Sequence, residues 1–252
     1  MATSQLTASQ RADYDANGFV ILPAVYDAAE CRRIVTHLMD LHSGRTTLAG
    51  YAPRQPEEWG RTFNQHLYDP LAMELLLDPR LQGPLEDIAG GAVDGVQTMY
   101  FYRGSTQRRH QDQYYLPGCF AAWTAFVDVG PDNGTIWVQP GSHKQRLVTK
   151  ADFADILAEE DNPTKAGERY NDEVDRVYAA NGVPDVPVEA KAGDVVLFSG
   201  RLIHRGGPIA LTDSFRHVMA SHYLPYAFSD WPYADWKRYA FDGSSRCTTP
   251  AS

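Results

Sequence analysis

Apolar positions in the first third of the chain recur at two different periods. Phe19-Val20-Ile21-Leu22 is a short apolar run that enters through the turn pair Asn17-Gly18 and stops at Pro23, which cannot donate to a sheet ladder, so it reads as a strand. The spacing then lengthens: Cys31, Ile34, Val35, Leu38 and Leu41 fall on one face of a helix predicted over 28–42. Asp27 followed three residues later by Glu30 is a capping box at its start. Further helices are predicted over about 70–77 and 81–89, separated by Asp78-Pro79.

From Val93 onward the chain changes to short β-rich runs divided by turn residues: 96–102, 121–129, 135–138, 186–190, 195–198 and 217–223. Asp132-Asn133-Gly134 is the strongest hairpin signal. Strands of this length, with helices confined to one end of the sequence, predict a mainly β fold with flanking helices, a two-sheet jelly-roll barrel of the double-stranded β-helix, cupin-like kind. No repeat or linker interrupts the chain, so one domain over 1–252 is expected, with helical support over about 1–92 and the barrel over about 93–225. Residues 145–184 interrupt the barrel and are rich in Asp and Glu, including Asp152, Asp155, Glu159, Glu160, Asp161, Asp172, Glu173 and Asp175. This stretch reads either as a solvated excursion with a helix near 152–157 or as a mobile lid.

Composition narrows the function more than the fold. A net charge of -9 disfavours a phosphate-backbone partner, which needs clustered Lys and Arg, so no nucleic acid is expected. No basic leader followed by an apolar run opens the chain and no segment approaches a bilayer span, so no membrane insertion is expected. Cys31, Cys119 and Cys247 are an odd, widely spaced set without a C-x-x-C pair, which argues against a disulfide framework or a structural zinc and fits a reducing cytoplasm.

His110-Gln111-Asp112 has the spacing at which alternate residues put an imidazole and a carboxylate on one face. Eight histidines and 32 acidic residues in 252 give about one such H-x-[DE] by chance, so the motif alone also fits a surface His beside an Asp. The second element is Gly193-Asp194-Val195-Val196-Leu197-Phe198, a turn and an apolar strand, followed by His204. Two imidazoles and one carboxylate from distant strands form the facial set that binds Fe(II) with open positions, although zinc or a purely structural His204 remains open at this point. Arg216, in the β-rich run after His204, is costly to bury without a partner. Its planar guanidinium could grip a carboxylate at two points, either that of a keto acid or that of a structural Asp or Glu.

With these residues in order, the chain resembles the phytanoyl-CoA dioxygenase family of Fe(II)/2-oxoglutarate oxygenases. The resemblance runs from Gly18-Phe19-Val20-Ile21-Leu22-Pro23 through His110-Gln111-Asp112, Trp123-Thr124-Ala125, Asn133-Gly134, Pro140-Gly141-Ser142-His143-Lys144, Gly193 to Phe198, and His204 to Arg216. It implies iron on His110, Asp112 and His204, the distal carboxylate of 2-oxoglutarate on Arg216, and a cofactor pocket lined by Met99, Gln111 and Trp123. Two departures stand out. Better-known members carry Gly-Ser after the second iron histidine where this chain has Arg205-Gly206, and a Lys on an earlier strand where this chain has Thr62, with Arg61 beside it.

The implied activity uses Fe(II), 2-oxoglutarate and O2 to oxidise, foremost to hydroxylate, a small molecule with release of succinate and CO2. Cyclisation, epimerisation or desaturation is the alternative outcome, and a jelly-roll metal- or ligand-binding module the non-enzymatic one. Gln97, Tyr102, Tyr114 and Arg103 are candidate substrate contacts. Further aromatics (Tyr100, Tyr115, Phe120, Trp137, Tyr223, Trp231, Tyr233, Trp236) crowd the expected mouth, where they would suit a ring system or a cation. Arg108 and Arg109, with Arg103, would receive a carboxylate or phosphonate or else stay solvated.

Overall fold

Asp27 accepts hydrogen bonds from the backbone of Ala29 and Glu30, and the Glu30 side chain accepts one from Asp27 N–H. This reciprocal cap starts helix α2, Ala28–His42, after helix α1, Ala8–Asn17, and strand β1, Phe19–Leu22. The computed structural model describes residues 5–53, 60–154, 163–210 and 215–247. Helices α3 (Pro70–Leu76) and α4 (Pro79–Ala89) each follow an aspartate cap, Asp69 and Asp78, with proline at the first position, where its missing N–H leaves no bond unmade. The periodicity did not announce α1. It buries no residue of its own, and a Thr7/Gln10 capping box starts it and Gly18, at φ +82°, ends it.

The strands form two sheets of a jelly roll. Seven lie in the order β1-β6-β3-β8-β2-β9-β10, with β2 Val93–Phe101, β3 Phe120–Ala125, β6 Val195–Ser199, β8 Val218–Pro225, β9 Lys237–Ala240 and β10 Ser245–Cys247. Three lie in the order β5-β4-β7: Val186–Pro187, Ile136–Val138 and His204–Gly206. Alternation divides the large sheet between two cores. Phe120, Ala122, Val195, Leu197, Met219 and Tyr223 pack with Ile34, Leu38, Leu75, Leu76, Leu81 and Leu85 of the helices. Their neighbours Ala121, Trp123, Val196, Phe198, Val218 and Ala220 point the other way, to Ile136 and Val138 of the small sheet. With both faces covered, these strands read as unbroken apolar runs, which marks a strand but hides which residue faces which side.

Three features depart from expectation. Residues 130–135 do turn, with Thr135 N–H bonded to Gly130 O, but they carry the chain from β3 in the large sheet to β4 in the small one instead of closing a hairpin. The acidic stretch holds a long helix, α5, Pro163–Asn181, whose Tyr170, Val174 and Val177 pack on Val148, Phe153 and Ile203. Of the helix expected near 152–157, the described part is a 3-10 turn over Lys150–Phe153 followed by a helical Ala154, and residues 155–162, with Asp155, Glu159, Glu160 and Asp161, lie outside the described residues. Strands β9 and β10 extend the large sheet beyond residue 225, pinned by Asp94, which accepts from both Arg238 and Arg246 at 2.8 Å. Among the described residues no helix is long and apolar enough to cross a membrane.

Candidate metal centre and pocket

The two histidines meet through their own backbones. His110 N–H donates to His204 O at 2.9 Å and His204 N–H to His110 O at 3.1 Å, an isolated antiparallel bridge that sets the rings 4.1 Å apart. Asp112 opens a one-turn 3-10 helix, Asp112–Tyr114, so the H-x-D motif straddles a bridge and a turn and not a continuous strand. The ligand atoms of His110, Asp112 and His204 all lie within 4.8 Å of one another and all three residues are buried. Asp112 Oδ1 sits 3.6 Å from His110 Nε2 and 3.7 Å from His204 Nε2.

Neighbouring groups fix how the donors are presented. His110 Nδ1 lies 2.8 Å from Arg108 O and His204 Nδ1 lies 3.0 Å from Leu202 O. A carbonyl only accepts, so Nδ1 carries the proton in both rings and each Nε2 lone pair is free for a metal. Burial, together with the adjacent His204, lowers the His110 pKa to about 3 and keeps that ring neutral. Burial works the other way on Asp112, but the imidazoles of His204 and His222 overcome it and hold the carboxyl below the usual carboxylate range. His222 Nε2 is 3.2 Å from Asp112 Oδ2, the oxygen turned away from the two histidines. This set of two imidazoles and one carboxylate fits a divalent transition metal such as Fe(II).

A cavity of about 400 Å³ opens over this cluster, its walls mostly apolar. Gln97, Met99 and Phe101 reach it from alternate positions of β2, Trp123 from β3, and Ala220 and His222 from β8. Arg216 forms part of its wall. That guanidinium is 1% exposed, donates to Gly134 O at 2.7 Å, and stands 4.6 Å over the Phe101 ring and 5.7 Å over Trp123. Its Nε has no hydrogen-bond partner and no carboxylate pairs with it among the described residues. Burial lowers its pKa to about 9, and Arg61 adds to the effect. A buried cation facing a cavity without a counter-ion fits a bound anionic group.

The other candidate positions divide. Gln97, Met99 and Trp123 line the cavity with the metal set and Arg216. Gln111 does not: its amide bonds Arg146 O, Arg201 O and Val148 N, on the side opposite its neighbours His110 and Asp112. Thr62 turns inward to Gln65 Oε1 while Arg61 faces the cavity. Tyr102 alternates with Phe101 and lies in the helix-side core, and Tyr114 stacks at 3.8 Å on Tyr170. Arg103 rests on Phe215. Of the mouth aromatics, Tyr115, Trp236 and Tyr233 reach the cavity; Tyr100, Phe120 and Tyr223 are helix-side core, Trp231 is buried beside Leu116, and Trp137 lies under Arg205 in the adjoining cleft. Arg108 and Arg109 are neutralised by Asp172, Asp175 and Asp185. Residue-by-residue reading passed over His222 and the cavity-facing role of Arg61.

The family model for phytanoyl-CoA dioxygenase (PhyH) matches residues 14–218. Phytanoyl-CoA dioxygenase 1 of Oryza sativa subsp. japonica is 28% identical over 151 residues, covering 56% of this chain and 48% of that protein, so the chain spans about half the length of this relative. Among solved structures, the non-haem α-ketoglutarate-dependent carbocyclase SnoK from nogalamycin biosynthesis is 17% identical with a TM-score of 0.67, covering 100% of this chain and 97% of that one. EctD from S. alaskensis, solved with 2-oxoglutarate and 5-hydroxyectoine, is 21% identical with a TM-score of 0.64, covering 89% and 78%. Both likenesses are of fold.

Proposed function

The chain belongs to the phytanoyl-CoA dioxygenase family, and from that membership we propose that it is an Fe(II)- and 2-oxoglutarate-dependent dioxygenase that hydroxylates a small organic substrate. The observation that carries this reading is the conjunction of a buried His110–Asp112–His204 set with the unpaired Arg216 in one cavity. A metal-binding barrel without a keto-acid co-substrate would have no use for the second feature.

In this reading His110 and His204 through Nε2, and Asp112 through Oδ1, would hold the iron. Held by these residues, iron would supply the oxidising chemistry for a substrate C–H bond, with 2-oxoglutarate and O2 as co-substrates and succinate and CO2 as co-products. Arg216, whose guanidinium lies over Phe101 and Trp123, would hold the distal carboxylate of 2-oxoglutarate, and the low dielectric of that wall would strengthen the pairing. The apolar walls at Met99, Phe198 and Ala220 exclude water, and Gln97 offers an amide to orient the substrate. Ring closure, epimerisation and desaturation would use the same residues, and product analysis separates them from hydroxylation. A reducing cytoplasm is the compartment we propose, a reading supported by three cysteines that form no disulfide with one another.

Anaerobic addition of Fe(II) and then 2-oxoglutarate tests the reading through the metal-to-ligand charge-transfer band, followed by O2 and a metabolite screen for substrate-dependent succinate release. His110→Ala, Asp112→Ala and His204→Ala should each lose the band. Full turnover in any of the three removes that residue from the metal set.

A further inference from the structure

Arg108 and Arg109 are paired, and besides Arg216 a second guanidinium in the cavity wall has no carboxylate partner among the described residues. Arg61 lines the cavity, donates only to the neutral amide of Gln107 at 3.3 Å, and lies 4.5 Å over Phe63 and 5.7 Å over Phe101. No carboxylate pairs with it among the described residues, whereas Arg205 in the same wall is held by Asp185 at 2.6 Å. The charges of a loaded site make this informative. Fe(II) and Arg216 together would carry three positive charges, and Asp112 and the 2-oxoglutarate dianion three negative ones. Arg61 is left as a surplus positive charge, and a substrate that covered it without pairing it would bear the desolvation cost.

From this charge balance and the cavity wall we propose that the substrate is an acid: a flat, apolar body bearing one anionic group, foremost a carboxylate, which Arg61 receives. The apolar body follows from the rim. Phe63 and Tyr115 remain 50% and 45% exposed at the opening, beside Tyr233 and Trp236, which stack on each other at 5.0 Å. Exposed rings at a cavity mouth are unfavourable in water and gain by stacking on a planar partner. Arg61 reaches this position because residue 61 bridges to Phe101 of β2, which fixes its side chain on the cavity face while Thr62 turns to the helices. The inference rests on the oxygenase reading for its charge balance.

The test uses protein loaded with Ni(II) and 2-oxoglutarate, which cannot turn over, and isothermal titration with acid and amide pairs: 2-naphthoate with 2-naphthamide, hydrocinnamate with hydrocinnamide, and cyclohexanecarboxylate with its amide. At least one acid should bind about tenfold or more tightly than its amide, the scale of one hydrogen bond to a charged group. Arg61→Met should bring the pair to within about twofold, and Arg61→Lys, which keeps charge without the planar fork, should retain part of the preference. Affinity for 2-oxoglutarate should not change in either variant. If no acid is preferred over its amide, or none binds, the inference is overturned while the oxygenase reading stands on the Ni(II) and 2-oxoglutarate binding. If Arg61→Met weakens 2-oxoglutarate and leaves the acid preference intact, Arg61 belongs to the co-substrate and the inference is again overturned. If Ni(II) and 2-oxoglutarate fail to bind at all, the oxygenase reading fails and the inference falls with it.

Discussion

His222 Nε2 lies 3.2 Å from Asp112 Oδ2, on the carboxylate oxygen that faces away from His110 and His204. The contact divides the carboxylate between two tasks, Oδ1 for the metal and Oδ2 for a fixed donor. His222 is 1% exposed and its own Nδ1 has no partner, so the Nε2–H tautomer that serves Asp112 is the one its surroundings allow. Outer partners of this kind typically affect metal affinity by about 10- to 100-fold. His222→Phe is therefore expected to weaken Fe(II) or Co(II) binding on that scale while the protein stays folded. Unchanged affinity by metal titration would show that Asp112 needs no such support.

Tyr170 ties helix α5 to the same loop. Its hydroxyl accepts from Gln111 N–H at 2.8 Å and donates to Gln111 O at 3.1 Å, clamping the peptide between two metal-site residues. Tyr170→Phe removes both bonds and strands a buried N–H, a loss of about 1–3 kcal/mol in unfolding free energy. It should also speed hydrogen exchange at the Gln111 amide and lower metal affinity. The same exchange measurement bears on whether residues 145–184 open as a lid: a lid predicts fast exchange in α5 that slows when 2-oxoglutarate binds, whereas a brace predicts protection in both states.

What was legible in the sequence follows from how local each signal was. Helix α2 and strand β1 have the predicted bounds because a cap, a turn pair and a proline within a few residues decide them. The same holds for His110, Asp112 and His204 as a set, although their meeting depends on a long-range bridge. Pocket residues were harder to read because β2, β3, β6 and β8 are covered on both faces, so hydrophobicity does not label the inward side. Period two would have done so: with Gln97 and Met99 inward, Tyr102 belongs to the helix face, and Ala220 brings His222 with it. Arg61 and Thr62 differ by one residue, and only the pairing of residue 61 with Phe101 decides between them. Helix α5 carried a usable signal in Ala166, Tyr170, Val174 and Val177, at helical spacing, but its acidic composition dominated the reading.

Arg216 separates the keto-acid reading from a structural one. Arg216→Met removes the guanidinium over Phe101 and Trp123, and 2-oxoglutarate binding is expected to weaken by about 1.5–3 kcal/mol, the scale of a hydrogen bond to a charged group. Iron binding should survive, because no metal-site residue bonds to Arg216. Anaerobic titration of the charge-transfer band reads both quantities. A folded, iron-loaded variant with undiminished 2-oxoglutarate affinity would remove Arg216 from the co-substrate site.

Acid sensitivity of the metal-free protein should trace to two histidines outside the metal set. Burial lowers both His66 and His217 to about 4, and each is engaged as a neutral ring, His66 Nδ1 3.0 Å from the Thr98 hydroxyl and His217 Nδ1 2.7 Å from that of Tyr100. An unfolded histidine titrates near 6.5, so between about pH 6.5 and 4 the unfolded chain binds more protons than the folded one, and stability falls as pH falls through that window. At pH 5 the loss is on the order of 2 kcal/mol for each ring. In a chain of this size that corresponds to roughly 2–4 °C in Tm per kcal/mol. His66→Gln and His217→Gln cannot titrate, so their Tm should fall less steeply than the wild type's between pH 7 and pH 5, whatever their starting stability. His110 acts in the same direction but is present in all three proteins, so the difference in slope isolates the two substituted sites. Melting curves for wild type and both variants that shift in parallel across this window would show that neither ring is held neutral by the fold.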